Sequence, residues 1–272
     1  MIVDESERAM TRDTTRLFPL LAFSVAVLGA FPTLAAPSEK DLVEMLRVVD
    51  DRQRNSGDYR SIAYLESKER GKETVASEVV FYRRDADDKL LILFTKPKAE
   101  AGKGYLRLDK NLFLYDPSTG KWERRTERER IGGTDSRRQD FDESRLIEEY
   151  KPSYVAEEKL GKLAVHHLLL TARDGVDVAY PTVEVFIDVA SGNLLKREDK
   201  AVSGRLMRTT YYPKWNKLFS ESKKSDVYFP GEIRIYDEVE KGNSTLIIIR
   251  ETDLKALDAN IFTKAWLESK SR

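Results

Sequence analysis

The sequence predicts a mainly β protein, built on one strongly curved antiparallel sheet that forms an open or incomplete β-barrel covered by a few short helices. Three observations lead to this fold class. Short apolar segments recur with a period of two from residue 60 onward, almost no helical pattern separates them, and Gly, Pro or polar turns connect them. About a dozen consecutive strands favour a single sheet that curves on itself.

Composition limits the classes of function. The chain has 272 residues and carries 47 basic and 47 acidic side chains, so no overall field attracts nucleic acid, and we expect no nucleic-acid partner. Aromatic residues make up 10% of the chain, and apolar residues recur in regular blocks, which indicates a folded protein despite the charged fraction of 35%.

The N-terminus resembles an export signal. Arg12 and Arg16 precede the apolar run 17–31, which is short for a membrane span but typical of a signal-peptide core. Small residues before the site favour a cut after Ala35. The acidic residues near the start fit a signal poorly, so Met10 is an alternative start. An uncleaved anchor helix is the alternative to a cleaved signal.

These observations divide the chain into a signal peptide, residues 1–35, and a single domain, residues 36–272. The chain has no cysteine, which excludes disulfides, thiolate metal sites and a lipid anchor on cysteine. We therefore expect an exported protein in the periplasm, without a cofactor.

The mature chain is predicted to begin with a helix. Ser38 and Asp41 have the spacing of a capping box, and an apolar stripe that includes Leu42 and Leu46 follows at helical spacing. Two further short helices are predicted over Asp142–Tyr150 and Asn260–Lys270. The first helix is predicted to cover the core, and it could also serve as the lid of a cavity.

Strands are predicted over thirteen segments. They are Ser61–Lys68, Val75–Arg84, Lys89–Thr95, Gly104–Leu108, Asn111–Tyr115, Lys121–Thr126, Val165–Ala172, Thr182–Val189, Leu194–Glu198, Leu206–Tyr212, Asp226–Phe229, Glu232–Val239 and Ser244–Glu251.

Motifs of catalysis are missing from the sequence. His166 and His167 are adjacent within a strand pattern, so their side chains should point to opposite faces and cannot readily share a metal. The sequence contains neither G-x-S-x-G nor a phosphate-binding glycine loop. Strand packing is the simplest role for both histidines, and no metal site is expected.

Two apolar blocks, Leu90–Phe94 and Leu246–Ile249, are continuous. A strand in a sheet with one solvent-exposed face would instead alternate apolar and polar residues. Such blocks occur where both faces of a strand are covered by ordinary core. They also occur where one face lines an apolar cavity. The sequence leaves both explanations open.

A charged run, Lys121–Asp140, holds seven basic and five acidic residues around Ile131, Gly132 and Gly133. A solvated loop is the simplest explanation. A mobile flap hinged at the two glycines, or a docking surface for anionic head groups or a membrane partner, is the functional alternative.

Four ordered blocks resemble a known family. KGYLRL from residue 103, NLFLYDPSTGKWERR from 111, DFDESRL from 140 and VFIDVASGNLLKRE from 185 are similar to the outer membrane lipoprotein-sorting proteins, which are related to the LolA and LolB carriers. The resemblance extends from about Ser61 to Leu267. One departure is Arg138-Gln139, where relatives tend to have a glycine-containing block.

The resemblance implies a LolA-like half-barrel with an apolar cavity that accepts acyl chains and a helical lid, and it implies no catalytic residue. It implies a monomeric periplasmic carrier of lipoprotein acyl chains or lipid. The implied partners are an inner-membrane transporter and an outer-membrane acceptor. A sensor or adaptor that binds a membrane exporter or another protein is the alternative, and an enzyme acting on lipid or cell wall is the third possibility.

Alternation alone selects the candidate cavity residues, and each candidate for the cavity or its cover could equally belong to an ordinary core. The predicted cavity residues are Leu91, Leu93, Leu106, Leu112, Leu114, Leu168, Val185, Ile235 and Ile248. The predicted lid residues are Leu42, Leu46, Gly132, Gly133, Phe141 and Leu146.

Overall fold

The computed structural model describes residues 36–54, 57–109, 111–126, 130–132, 134 and 144–271. The contacts group Ala36–Arg272 into one compact unit. The expected signal peptide and its cut after Ala35 lie outside the described residues, as do the predicted lid residues Gly133 and Phe141 and the Arg138-Gln139 departure.

The described chain forms thirteen strands. They are β1 Asp58–Lys68, β2 Val75–Arg84, β3 Lys89–Lys96, β4 Gly104–Leu108, β5 Asn111–Asp116, β6 Lys121–Arg125, β7 Tyr150–Leu160, β8 Leu163–Ala172, β9 Thr182–Asp188, β10 Leu194–Lys200, β11 Leu206–Ser220, β12 Ser225–Asp237 and β13 Ser244–Asp253.

All thirteen strands belong to one antiparallel sheet in the order β6-β5-β4-β3-β2-β1-β13-β12-β11-β10-β9-β8-β7. Neighbours in the sheet are consecutive in the chain, except for β1, which pairs with β13. The two edge strands, β6 and β7, are consecutive in the chain but do not pair with each other, so the sheet is not closed. The predicted fold class, a mainly β protein with an open antiparallel sheet and few short helices, is confirmed.

The first helix, α1, spans Glu39–Arg54 and begins as predicted. The Asp41 carboxylate accepts a hydrogen bond from the Ser38 backbone N–H at 2.9 Å, and the Asp41 N–H donates to Ser38 Oγ at 3.3 Å, which completes a capping box. Leu42, Leu46 and Val49 recur at helical spacing and are buried. We call the sheet face against which they pack the inner face.

The C-terminal elements cover the opposite, outer face. A short 3₁₀ helix, Ala259–Phe262, leads into α3, Lys264–Lys270, and Thr263 Oγ1 accepts a hydrogen bond from the Trp266 N–H. Leu267 of α3 is fully buried. The outer cluster consists of Leu91, Leu93, Leu106, Phe262 and Leu267.

Both faces of β3 are therefore covered, which explains its continuous apolar block. Leu90, Ile92 and Phe94 pack on the inner side, whereas Leu91 and Leu93 pack beneath the C-terminal elements. Coverage of both faces accounts for the apolar block of this strand.

The region after the charged run differs from the prediction. A single helical turn, α2 at Leu146–Glu149, replaces the described part of the predicted helix, and Tyr150 begins a strand that the sequence analysis did not include. That strand, β7, contains Pro152, which a sheet tolerates at its edge because the missing N–H can face away from the ladder.

Candidate functional site: the inner face of the sheet

The inner face carries two apolar clusters. The first lies under α1, and we call it the helix-covered cluster. It contains Leu42, Leu46, Val49, Leu146, Tyr150, Leu168, Leu170, Tyr180, Val183, Val185, Ile187 and Leu194. The members from α1 and the members from β8 and β9 are almost wholly buried, as in the core of a domain.

The second cluster lies on the other half of the inner face. It contains Ala63, Leu65, Val79, Phe81, Leu90, Ile92, Phe94, Tyr105, Leu112, Ile131, Ile235 and Ile247. All these residues except Ile131 come from strands, and Ile131 comes from the charged run between β6 and β7. We call it the segment-covered cluster.

The cover of this second cluster is held by close local contacts. Ile131 is 3% exposed, and the following Gly132 N–H donates to the Tyr105 hydroxyl at 2.9 Å. Gly132 has φ +60°, and a Cβ at this position would lie 2.5 Å from Phe94 Cζ. Glycine is therefore required for both the backbone conformation and the approach to the Phe94 ring.

Arg130 connects the same segment to two turns at one end of the sheet. Its guanidinium lies 3.8 Å from Glu69, in the β1–β2 turn. It also lies 3.6 Å from Asp237 and 3.8 Å from Glu240, where β12 turns into β13. At these distances and with partial exposure, each ion pair contributes little by itself.

A buried polar strip separates the two clusters. Strand pairing places Arg197 opposite Thr210 and Asp199 opposite Arg208, on the face that also carries Val185 and Ile235. Asp199 is 2% exposed, and it accepts a hydrogen bond from Arg197 Nε at 2.7 Å. The inner face is thus not uniformly apolar.

The charge of Arg197 is stabilised within this strip. Burial by itself would lower the pKa of Arg197, but the Asp199 carboxylate, together with Tyr150 and Tyr212, raises that pKa above its ordinary value. The Arg197 guanidinium therefore remains charged, and its buried charge depends on the adjacent Asp199 for compensation.

Asp50 connects α1 to the end of the charged run. It is 3% exposed, and its carboxylate accepts hydrogen bonds from Ser144 Oγ, the Leu146 N–H at 2.9 Å and the Ile147 N–H at 3.1 Å. These bonds satisfy N–H groups at the start of α2 that have no helical partner. The two helices are consequently joined through one buried carboxylate.

A groove of about 300 Å³ lies between α1 and the inner face of β8 and β9. Met45 and Val48 line it from the helix, and His166 and Ile187 line it from the strands. This volume is at the lower end of the range for ligand pockets, roughly 300–1,000 Å³. The groove therefore has room only for a small ligand or ligand fragment beside α1.

The structure divides the nine predicted cavity residues between the two faces. Five of them belong to the inner clusters or pack against them: Leu112, Leu114, Leu168, Val185 and Ile235. The other four lie on the outer face: Leu91, Leu93, Leu106 and Ile248.

The prediction that all nine residues line one cavity is therefore wrong for those four residues. Leu91, Leu93 and Leu106 pack beneath Phe262 and Leu267, and Ile248 pairs with Tyr64 and Glu232 rather than facing inward. Alternation within a strand indicates which residues share a face, but which face of the sheet that is depends on the pairing register.

Three predicted lid residues, Leu42, Leu46 and Leu146, are buried in the helix-covered cluster. Gly132 lies against Phe94 over the segment-covered cluster. The predicted lid therefore spans both halves of the inner face.

The sequence marked Ile131 only as part of the centre of the charged run, and it did not mark Asp50. A signal for Ile131 existed, since it is the one aliphatic side chain between Glu123 and Asp140. No comparable signal marked Asp50, because the adjacent Asp51 has the same chemistry and only the packing of α1 decides which carboxylate is buried.

The two histidines lie on opposite faces, as the alternation predicts. His167 stacks on Phe186 with ring centroids 4.2 Å apart and contacts Glu158 and Glu184, whereas His166 lines the groove beside α1. Within the described part of the chain, no group of three or more His, Asp or Glu side chains is arranged to hold a metal.

None of the helices formed by the described residues has the length and hydropathy needed to cross a bilayer.

Solved structures share this fold. A domain assigned to the outer membrane lipoprotein-sorting proteins, from Vibrio parahaemolyticus, is 20% identical with a TM-score of 0.69. A LolA superfamily protein from Nitrosomonas europaea is 19% identical with a TM-score of 0.66, and a DUF1329 family protein from Desulfovibrio piger is 18% identical with a TM-score of 0.72. Each match covers 85% of this chain and 100% of the other.

A family model with the description "Uncharacterized protein" matches residues 86–269. The chain belongs to that family. The matched region begins before β3 and includes the charged run, β7 and α3. No curated protein matches the sequence. The resemblance to lipoprotein-sorting and LolA-like proteins is confirmed as a likeness of fold.

Proposed function

We propose that this protein is a non-catalytic periplasmic carrier that binds the acyl chains of lipoproteins or lipids on its inner face. In this proposal residues 1–35 are a cleaved signal peptide, and residues 36–272 act as one monomeric carrier domain. An inner-membrane transporter supplies the cargo, and an outer-membrane acceptor receives it.

One observation carries the proposal: the segment-covered cluster is an extensive apolar face whose cover comes from the connection between the two unpaired sheet edges. Because Ile131 and Gly132 belong to no strand, they can leave the sheet without breaking any pairing between strands. An acyl chain that enters beside Phe94 and Tyr105 would replace the contacts of Ile131.

Several apolar side chains at this cluster remain partly exposed while the segment is in place. They are Tyr59, Leu114, Ile233 and Ile249. Partly exposed apolar groups next to a buried cluster offer a path along which a chain can extend. The helix-covered half is held by three buried anchors of α1, Leu42, Leu46 and Val49, and serves as the structural support.

Binding of an acyl chain needs only the burial of apolar surface. At roughly 0.8 kcal/mol per buried CH₂, a chain of about sixteen carbons gains on the order of 12 kcal/mol before the costs of ordering and of displacing the cover. Release follows when a competing acceptor takes the chain and the segment returns to its place. No covalent step is required.

The first test measures bound lipid. Mature protein, residues 36–272, is purified from a periplasmic extract and analysed by native mass spectrometry and lipid extraction, followed by titration with a fluorescent fatty acid. We expect bound acyl lipid and saturable uptake of the probe. A consistently empty protein that takes up no probe would contradict the carrier and favour the sensor or adaptor.

A matched pair of variants locates the binding face. Ile233 and Ile248 are both partly buried, but Ile233 packs with the segment-covered cluster whereas Ile248 lies on the outer face. We expect Ile233→Ser to weaken probe binding about ten-fold, the effect of losing roughly two buried CH₂ groups. Ile248→Ser should leave binding unchanged, and equal losses would argue against an inner-face site.

A further inference from the structure

The hairpin of β11 and β12 continues after its pairing with the neighbouring strands has ended. Pairing of β11 with β10 ends at Tyr211, and pairing of β12 with β13 ends at Glu232. Beyond these points the two strands pair only with each other, from Trp215 opposite Pro230 to Ser220 opposite Ser225. At about 3.3 Å per residue this two-stranded arm, residues 213–231, is roughly 20 Å long. Its turn lies beside the start of β1, since a Cβ on Gly57 would lie 2.5 Å from Ser222 Oγ.

Local sequence explains why the sheet ends at the base of this arm. Pro213 and Pro230 have no N–H, so neither can donate to a further strand. The β11–β12 register is irregular on both sides of Lys214. A Cβ on Gly231 would lie 2.7 Å from Asn216 Nδ2, so the two strands approach closely at the bend.

The base of the arm is attached to the body of the protein. Trp215 Nε1 donates to the Leu194 carbonyl at 3.0 Å, and the Phe229 ring meets Tyr59 edge-on at 5.2 Å between centroids. The Arg52 guanidinium of α1 lies 4.5 Å from the centre of the Tyr228 ring. These contacts orient the arm, since an isolated two-stranded hairpin is barely stable in water.

The tip has a different composition. Phe219 is 61% exposed, whereas Phe229 at the base is 2% exposed. Residues 214–226 carry four lysines and two acidic residues, a net charge of +2 in a chain with no net charge. Lys217, Lys223 and Lys224 are exposed and lie within five residues of Phe219 in the chain.

We propose that the tip of this arm docks the protein on an anionic membrane surface. Phe219 enters the boundary between head groups and acyl chains, and the three lysines lie near the lipid phosphates. Aromatic rings favour that boundary, and each lysine near an anionic surface strengthens binding about five-fold. The proposal deepens the carrier function, on which it rests, by supplying contact with a donor or acceptor bilayer.

The size of the tip favours a bilayer over a protein partner. A stable protein interface buries about 800 Å² on each partner, which the few residues around the β11–β12 turn cannot supply by themselves. Attachment to a membrane requires only a small apolar group together with cationic side chains. The positive charge of the lysines is complementary to the negative charge of lipid phosphates. Attachment to a membrane therefore needs no residue outside the tip.

The test uses the mature chain and two kinds of vesicle: phosphatidylethanolamine with phosphatidylglycerol in equal parts, and phosphatidylcholine alone. We expect co-sedimentation with the anionic vesicles and little with the neutral ones. Phe219→Asp should abolish most of the binding, and the triple change Lys217→Gln, Lys223→Gln and Lys224→Gln should weaken it about a hundred-fold. Val202→Asp, at the opposite end of β11 where Val202 is 92% exposed, is the matched control.

A second readout reports insertion directly. Because the chain has no cysteine, Phe219→Cys and Val202→Cys each give a single site for an environment-sensitive fluorophore. Anionic vesicles should shift the emission of the label at position 219 to the blue and leave the label at 202 unchanged. Equal behaviour at the two positions, or wild-type binding by Phe219→Asp and the triple variant, would overturn the proposal.

The two proposals fail in distinguishable ways. Uptake of the fluorescent fatty acid is measured without vesicles, so Phe219→Asp should retain it at the wild-type level while it loses vesicle binding. Conversely, Ile233→Ser should keep vesicle binding. Circular dichroism on each variant verifies that the fold is intact.

Discussion

The two apolar clusters of the inner face have covers of different kinds. The helix-covered cluster lies under α1, which has sixteen residues and contributes three buried anchors to it. The segment-covered cluster is covered at Ile131 by a non-helical connection that is held through Gly132 and Arg130. In the proposed function the helix-covered cluster is permanent core, whereas the segment-covered cluster can exchange its cover for a ligand.

The largest expected effect concerns the polar strip between the two halves. Asp199→Ala leaves the Arg197 guanidinium without its main counter-charge, so we expect the free energy of unfolding to fall by about 3–5 kcal/mol in urea denaturation. Replacing both residues with apolar ones, as Arg197→Met with Asp199→Leu, should recover most of that loss. A loss below about 1 kcal/mol for Asp199→Ala would show that the strip does not stabilise the fold.

The next effect compares the covers directly. Leu46→Ala removes a fully buried anchor of α1 and should reduce the free energy of unfolding by about 3 kcal/mol. Ile131→Ala should cost only about 1 kcal/mol, because a cover that opens locally contributes little to global stability. The same variant should take up the fluorescent fatty acid faster than wild type. Equal losses of stability would mean that both halves are permanent core.

A pair of glycine variants tests the fit of the segment against Phe94. Gly132 and Gly120 have similar backbone conformations, with φ +60° and +66°, but a Cβ at Gly120 would meet nothing within 4 Å. Gly120→Ala should therefore cost only the backbone strain, about 1 kcal/mol, whereas Gly132→Ala should cost about 2 kcal/mol and displace the segment. Thermal denaturation and probe uptake measure the two effects. Identical values would show that the ring contact is unimportant.

The smallest effect lies at the junction of α2 and β7 and depends on pH. Burial raises the pKa of Glu149, although Arg145 and Arg197 oppose the shift. Since the folded state binds this proton more tightly than the unfolded state, stability falls as pH rises from the ordinary glutamate pKa through the raised one.

Glu149→Gln should therefore be more stable than wild type at about pH 7, by less than about 1 kcal/mol because the group is partly exposed. The gain should vanish below the ordinary pKa of glutamate. Urea denaturation at about pH 7 and at a pH below the ordinary glutamate pKa measures this gain in stability. The neighbouring Glu148, which pairs with Arg145 at the surface, provides the control Glu148→Gln, for which no gain is expected.

Much of the fold could be predicted from local patterns. The capping box of α1, the apolar blocks of β2, β4 and β8 and the turn residues between strands were sufficient to place those elements. Strand β7 could not be predicted, because its proline and its glutamates are tolerated only at a sheet edge, and the sequence does not reveal which strand is the edge. Two separate strands, Asp226–Phe229 and Glu232–Val239, were predicted where β12 is continuous, and Pro230 lies between them.

The candidate site was predicted less completely than the fold. Alternation identified Leu112, Leu168 and Val185 as inward residues, but it placed Leu91 and Leu106 with them although α3 covers that side. A strand pattern indicates that two faces differ. It does not show which later segment of the chain will cover each face.

The sequence by itself determined the class of the protein: an open antiparallel sheet, a capped helix at its start and a chain without cysteine or catalytic motifs. These properties depend on interactions between residues that are close in the chain, such as Ser38 with Asp41. Tertiary structure alone decided that Asp50 holds α2, that Ile131 covers Phe94 and that Phe219 is exposed. Those outcomes depend on the pairing of β1 with β13 and on the separation of the edges β6 and β7, which only the folded chain establishes.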